Sequence, residues 1–313
     1  MAPSEEYAVV RRRVGFLDRG DFGVLELTGR DRASFLHALL SNEVKALGPG
    51  QGCAATLLDI HGKVQVVLFV WVADDRIFVV TPPAMAAKTA EALDHYLFSE
   101  KVAIEDVSRE KTLFVLADPQ ARETSDRLMG KLGETPVRLV SGGGETGEAE
   151  VWIMCALTDA AKVRDALAGA DVRSIGPEAF ESLRIEAGTP LFGHDVDESV
   201  LLSEIPFDNL LSHTKGCYPG QEVVVRIRDR GHVNRMLRGL VLDGDQVPPQ
   251  GAEVVLDDTT IGKVTSAVRS FGLARPIALA FVRRQHAEPG TRVAVRFGGT
   301  TVAATVSALP FAR

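Results

Sequence analysis

The sequence predicts an α+β fold followed by a small all-β domain, a barrel or a sandwich. Three observations predict it. Antiparallel hairpin patterns mix with amphipathic helical patterns over the first two-thirds of the 313 residues. No G-x-G-x-x-G follows a first strand, so a doubly wound parallel sheet is not expected. Beyond about residue 240 the chain becomes short alternating or β-branched runs punctuated by Gly, Pro and Asp.

Taken in order, "GVLEL" (23–27) reads as a strand, and Phe35, Leu36, Leu39 and Leu40 recur at helical spacing after polar cap candidates. "GPGQG" (48–52) breaks the chain. Strands over 53–58 and 64–72 flank "DIHGK", a hairpin signal, and "RIFVV" (76–80) is a third. Pro82-Pro83 is read as starting a helix that runs to Phe98. The alternation repeats with a strand at 112–117, a helix from Pro119 to Lys131, a loop at 141–150, a strand in "VWIMCAL" and a helix over 158–169. "GPEAFESLRIEAGTP" (176–190) places Pro at a helix start, Gly188 as a C-cap and Pro190 beyond it. The polar Pro/Gly segment "DGDQVPPQG" (243–251) sets an expected boundary, with an α+β region over 1–242, including a subdomain near 52–110, and the β domain over 243–313.

Composition narrows the function classes. Hydrophobic residues are 45% and charged residues 25%, ordinary for a globular chain with a sizeable core. A formal net charge of −7 argues against a general nucleic-acid binder. No apolar run approaches membrane-helix length, and the N-terminus lacks the apolar core of a signal peptide, so no membrane association and a cytoplasmic location are expected. Three cysteines without a C-x-x-C pair suggest neither a disulfide framework nor a Cys₄ site. His61 and His194 have no metal-ligand spacing with another donor, and "DVDES" (195–199) lacks the glycine of a calcium loop, so no metal is expected.

Cys53 and Cys155 sit in strand-like runs, the usual place of an inert thiol. Cys217 is different. It lies in "HTKGCYPGQEVVVRIRDRG" (213–231), between Gly216 and Gly220 and two residues from Lys215. A free thiol has a pKa of about 8.5, lowered by a nearby cation or a helix N-terminus. Lys215 could supply the first, and "PGQEVVVRI" could open a helix that supplies the second. Gly216 and Gly220 permit backbone conformations closed to other residues and the close approach of a ligand. A plain Gly/Pro turn with an incidental cysteine fits the same residues. Between 215 and 238 six basic residues, Lys215, Arg226, Arg228, Arg230, Arg235 and Arg238, stand against Glu222 and Asp229. That cluster reads either as an anion-attracting surface or as a solvated face. His213 reads as a base for the thiol or as a polar turn residue.

"KGCYPGQE" (215–222) resembles the signature of the YgfZ family, folate-dependent proteins needed for iron–sulfur enzyme maintenance. "GRDRASFLHALLSNEV" and "TLLDIHGKV" are similar to that family's early helix and central hairpin. "SLRIEAGTPLFGHD" (182–195) resembles a segment shared with the glycine cleavage T-protein, the aminomethyltransferase. The resemblance implies two interleaved ferredoxin-like α+β subdomains forming a folate-binding unit, plus a C-terminal β-barrel. It implies tetrahydrofolate, or a one-carbon or polyglutamyl derivative, as cofactor and iron–sulfur client proteins as partners.

The same resemblance nominates site residues. Cys217 and Lys215 are the candidate catalytic pair, and Gly216, Gly220, Gln221 and Glu222 complete the motif. Glu204, in "LLSEIPFDN", is the first choice for accepting from the pteridine N–H groups and Glu186 the second, with Tyr218 a further contact. Arg226 or Arg228 could meet the glutamate tail. A surface salt bridge is the plain alternative for each charged member of this set. T-proteins carry an acidic pair where this chain has Val66 and Val67, which weighs against ordinary aminomethyl transfer. Three readings stand: a YgfZ-type protein, possessing or lacking a transferase-like activity of its own; a T-protein-type aminomethyl- or methyltransferase; and a non-enzymatic folate-sensing scaffold.

Overall fold

The structure is a computed structural model that describes residues 1–117, 121–206 and 208–312. It divides into two compact units, the first made of Met1–Gly144, Glu148–Gly176 and Asp208–Gln221. In chain order the first unit contains α1 (Pro3–Arg12), β1 (Gly15–Asp18), β2 (Gly23–Thr28), α2 (Arg32–Leu39), β3 (Gly52–Leu58), β4 (Val64–Val72) and β5 (Ile77–Thr81). It continues with α3 (Ala86–Asp94), β6 (Ala103–Asp106), β7 (Lys111–Ala117), α4 (Ala121–Leu132), β8 (Val137–Ser141), β9 (Glu150–Ala156), α5 (Ala160–Gly169) and β10 (Arg173–Ser174).

Two five-stranded sheets result, β10-β1-β7-β9-β8 and β3-β4-β5-β2-β6. The chain starts in the first sheet with β1, builds the second with β2 to β6, and returns to finish the first. The subdomains are therefore interleaved. Each contains the strand–helix–strand–strand–helix–strand order of a ferredoxin-like unit: β7-α4-β8-β9-α5-β10 in one, and β2-α2-β4-β5-α3-β6, with β3 added at the edge, in the other.

Packing explains why the strands could be read. In β4, Val66, Leu68, Val70 and Val72 face a core that also buries Phe35, Leu36 and Leu39 of α2 and Leu93 of α3. The alternate residues Phe69 and Trp71 are buried too, and Phe69 lies 4.8 Å from the Trp152 ring of β9. A strand covered on both faces reads as a continuous apolar run.

The helix expected from Pro82 to Phe98 is shorter. Ala84 takes φ +62, so regular helix begins at Ala86; it ends at Asp94, and Phe98 is exposed. The Pro119 start of the next predicted helix lies outside the described residues; α4 runs Ala121–Leu132. Helix α1 and the short strands β1, β6, β8 and β10 have no counterpart among the expected elements.

The second unit holds α6 (Pro177–Ala187), most of α7 (Gln221–Arg230) and six strands: β11 (Arg235–Leu242), β12 (Glu253–Leu256), β13 (Thr259–Arg269), β14 (Pro276–Arg283), β15 (Arg292–Phe297) and β16 (Thr300–Ser307). They close into a barrel of order β11-β14-β13-β12-β15-β16 around Leu240, Val254, Val264, Ala280, Val295 and Val306. Closure leaves no free edge, because β11 pairs with both β14 and β16. The barrel's first strand lies upstream of the Pro/Gly segment 243–251. Among the described residues no helix is long and apolar enough to cross a membrane.

Candidate functional site

Three distant pieces of the first unit build the surroundings of Cys217. The chain leaves α2 along the outer edge of β3. Leu40 pairs with Leu57, the Ser41 N–H donates to the Thr56 carbonyl at 3.0 Å, and Asn42 Nδ2 donates to the Ala54 carbonyl at 2.8 Å. The same residues grip the approach to the thiol. Ser41 Oγ donates to the Leu210 carbonyl at 2.6 Å, the Ser212 N–H donates to the Ser41 carbonyl at 3.1 Å, and Asn42 Nδ2 also reaches the Asn209 carbonyl at 3.0 Å. Ser41 is fully buried, and its Oγ also accepts from the Thr56 N–H and hydroxyl. The polar seam is thus internally satisfied, as a buried polar cluster has to be.

Past the seam, Lys215 turns inward. Its Nζ donates to the His37 and Leu40 carbonyls, 2.5 Å each, at the C-terminal end of α2. Carbonyls there lack partners within the helix. The Tyr218 ring centroid lies 4.8 Å from the same nitrogen. Lys215 and Tyr218 are both 7% exposed, whereas Gly216 and Cys217 between them are exposed. The loop is an arch, with its two feet buried and the thiol on its crown.

Gly220 then packs against the β3–β4 turn with φ +76, and α7 begins at Gln221, half-buried, with Glu222 exposed in its first turn. The conformational freedom expected of both glycines is used only at Gly220. Gly216 has an ordinary φ, and a Cβ there would meet nothing within 4 Å.

Burial separates the three thiols. Cys53 is pushed up to about 12 by burial and the nearby Glu43 carboxylate, and Cys155 to about 11, chiefly by burial. Lys215 is pulled down to about 8 by burial, against the pull of Glu43. Brief iodoacetamide treatment of the native protein near pH 8 is therefore expected to label Cys217 alone. The thiolate fractions of Cys53 and Cys155 there are on the order of one in ten thousand and one in a thousand. Peptide mapping that finds native labelling of Cys53 or Cys155 at the rate of Cys217 would contradict this.

The remaining candidates divide. Glu204 is 8% exposed at its side chain; its Oε2 accepts from Arg235 Nε at 3.1 Å and from the Leu201 N–H at 3.3 Å. Glu186 is fully buried. Its Oε1 accepts from Ser182 and Ser270 hydroxyls at 2.9 and 2.6 Å and from the Gly272 N–H at 3.2 Å. That carboxylate, the second-choice pteridine acceptor, ties α6 to the β13–β14 turn through Oε1. Tyr218 keeps its ring against Lys215, so stacking on a ligand would require the arch to open.

The basic cluster shrinks as well. Lys215 is buried, Arg235 engages Glu204 and lies over Phe281 at 4.5 Å, and Arg238 Nε donates to the Ala287 carbonyl at 2.9 Å. Arg226, Arg228 and Arg230 are exposed on α7, Arg228 paired with Asp229. His213 is exposed four residues before the thiol. Val66 is buried in the core, and Val67, opposite Thr56, is half-buried on the other face of the hairpin.

Sequence reasoning did not single out Ser41, Asn42, His37 or Glu43. The last two form a pair of their own, with His37 Nδ1 3.0 Å from Glu43 Oε1. The signal available was "SNE" directly after the last apolar residue of a helix, short polar residues that can satisfy two backbones at once.

Two interleaved ferredoxin-like subdomains combined with a six-stranded closed barrel define the class of protein: a glycine cleavage T-protein-like fold. The chain belongs to the GCVT N-terminal domain family, whose profile matches residues 2–215, and residues 235–312 match the glycine cleavage T-protein C-terminal barrel domain. Curated relatives include an aminomethyltransferase of Picosynechococcus sp., 28% identical with 98% of this chain and 89% of the relative covered. A putative chloroplastic transferase of Arabidopsis thaliana is 26% identical, covering 94% and 70%. Among solved structures, the glycine cleavage system aminomethyltransferase T of Bartonella henselae superposes with a TM-score of 0.84 at 21% identity, over 98% of this chain and 89% of that one. At that identity the likeness establishes the fold.

Proposed function

We propose that this chain is a tetrahydrofolate-binding protein of the YgfZ type, acting in the assembly or repair of iron–sulfur enzymes from a cytoplasmic location, with Cys217 as its chemically active group. The observation that carries the reading is the exposed thiol on an arch whose two feet are buried. A thiol that merely fills space is buried, as Cys155 is. Val66 supports the same reading. It is 1% exposed among aliphatic side chains, where it offers no carboxylate to a folate amine.

The donor set suits folate in kind. Glu204 is a carboxylate near the surface with Oε2 held by Arg235, and its Oε1 can accept from a pteridine N–H. Arg226 and Arg228 are exposed cations for the glutamate tail. Bound folate would supply one-carbon acceptor chemistry; the chain's own part is to orient the pteridine through Glu204 and to present the Cys217 sulfur.

The test has two arms. Thermal unfolding with a panel of reduced folates should show stabilisation of about 2.7 kcal/mol at a hundredfold excess over Kd. No shift with any reduced folate removes the cofactor from the reading. Cys217→Ser should fail to restore iron–sulfur enzyme activity in a deficient strain; full restoration alongside retained folate binding would favour a non-enzymatic folate-sensing scaffold. A second reading, folate-dependent aminomethyl transfer, is favoured by the aminomethyltransferase relatives that span nearly the whole chain. It predicts steady turnover of an aminomethyl donor with tetrahydrofolate, independent of Cys217.

A further inference from the structure

We infer that Lys215 is a positioning residue for Cys217, acting through the C-terminal end of α2 and not as a cation placed on the sulfur. The inference rests on the reading of Cys217 as the active group and assigns its neighbour a different task from the one the motif suggests. A lysine two residues from a thiol is expected to lower the thiol's proton affinity through space. Here two of the ammonium's three donors are committed to the His37 and Leu40 carbonyls, and the Tyr218 ring lies beside it. The last turn of a helix carries the negative end of its dipole, so a cation capping it is held both by hydrogen bonds and by that field.

The consequence for the arch is geometric. Lys215 and Tyr218 point to the same buried place, and the two residues between them are pushed outward. Gly216 and Cys217 are exposed because their neighbours are not. The upstream end is fixed a second time, independently of charge, by the Ser41 bonds to Leu210 and Ser212 and the Asn42 bond to Asn209. The position of the sulfur is therefore referred to α2 and the edge of β3, elements far away in the sequence. The ammonium is within electrostatic reach of Glu43, Cys217 and Cys53, and of these Glu43 acts on it most strongly, so its charge is not devoted to one thiol.

The experiment compares full-length wild type, Lys215→Met and Lys215→Gln. Glutamine keeps two N–H donors and drops the charge. Two readouts are taken: amide hydrogen exchange over residues 209–221, and the ratio of Cys217 alkylation rates by anionic iodoacetate and neutral iodoacetamide. A cation on the sulfur favours the anionic reagent, so that ratio reports it, whereas a purely structural anchor leaves it alone. We expect Lys215→Met to speed exchange in the segment about tenfold, Lys215→Gln to fall between it and wild type, and the reagent ratio to stay within about a factor of two in both. Unchanged exchange in both variants, or a several-fold fall in the ratio in both, overturns the inference. If Lys215→Met does not fold, Lys215→Gln gives the same two readouts. Neither uses client activity, so failure here is distinct from failure of the functional reading, which shows as full complementation by Cys217→Ser.

Discussion

Arg184→Met is expected to destabilise the second unit by about 3–5 kcal/mol, the cost of leaving one half of a buried ion pair behind. Arg184 and Asp195 both have side chains 0% exposed and meet through Nη1 and Oδ2 at 3.0 Å. Every other atom of the pair is used. Arg184 donates to both oxygens of Glu181, to the Thr189 carbonyl and to Ser266 Oγ. Asp195 accepts from the Leu191 N–H and from the hydroxyls of Thr265 and Ser266 on β13. The network joins α6, the turn after it and the barrel wall.

Removing the guanidinium leaves Asp195 buried with only neutral donors. In thermal unfolding the loss should appear as a fall in Tm of roughly 10 °C or more. The double variant Arg184→Met/Asp195→Leu should recover part of it, because no charge is then stranded. A melting curve for the single variant within about 1 kcal/mol of wild type would show that the pair is solvated or adaptable. The two residues fall inside "SLRIEAGTPLFGHD", the segment that resembles T-proteins. A structural network is thus sufficient reason for that segment's pattern, without any contact to ligand.

This bears on what a sequence can disclose. The hairpin over β3 and β4, the helix α6 with its Gly188 stop, and the barrel strands were legible because each announces itself locally, by β-branched runs, caps and turn residues. Strand β6, "AIED", was not: it is an edge strand with only Ile104 half-buried, so no alternation survives. The interleaving was not derivable from local pattern either, since β1 reaches its partner β7 only after the whole second sheet has been built. At the site the difference is sharper. The Gly and Pro neighbours of Cys217 mark a turn, which fits a presented thiol and an incidental one alike; its exposure is a finding of the structure. The inward turn of Lys215 could not be read at all, because the carbonyls that hold it lie 178 and 175 residues away. A charged side chain beside a thiol in sequence says nothing about which way it points. Glu186 makes the same point in the other direction, an acid that looks available and is enclosed by two serines and a glycine.

Gly220→Ala is expected to disturb the thiol arch more than any other single methyl group could, and Gly216→Ala hardly at all. At Gly220 the backbone sits at φ +76, where a side chain costs on the order of 1–2 kcal/mol by itself. An added Cβ would also collide with the Asp59 carbonyl oxygen and approach the Gly62 Cα and N to 3.0 and 3.1 Å. The turn it meets is poorly able to yield. Asp59 Oδ1 accepts from the His61 and Lys63 N–H groups, the Asp59 N–H donates to the Lys63 carbonyl, and the Gly62 N–H donates to the Asp59 carbonyl. The arch has to move instead, and its other foot is fixed at Lys215.

The expected result is a total cost of about 2–4 kcal/mol for Gly220→Ala, with faster amide exchange over 215–222 and a changed Cys217 alkylation rate. For Gly216→Ala, where space is open and φ is ordinary, the cost should stay within about 0.5 kcal/mol with alkylation unchanged. The pair of variants separates two meanings of a glycine-flanked thiol. If the glycines serve only to make the loop pliable, both substitutions should act alike. If Gly220 is the contact that locks the arch onto the hairpin, the two must differ, and equal effects would remove the hairpin from any part in presenting the sulfur.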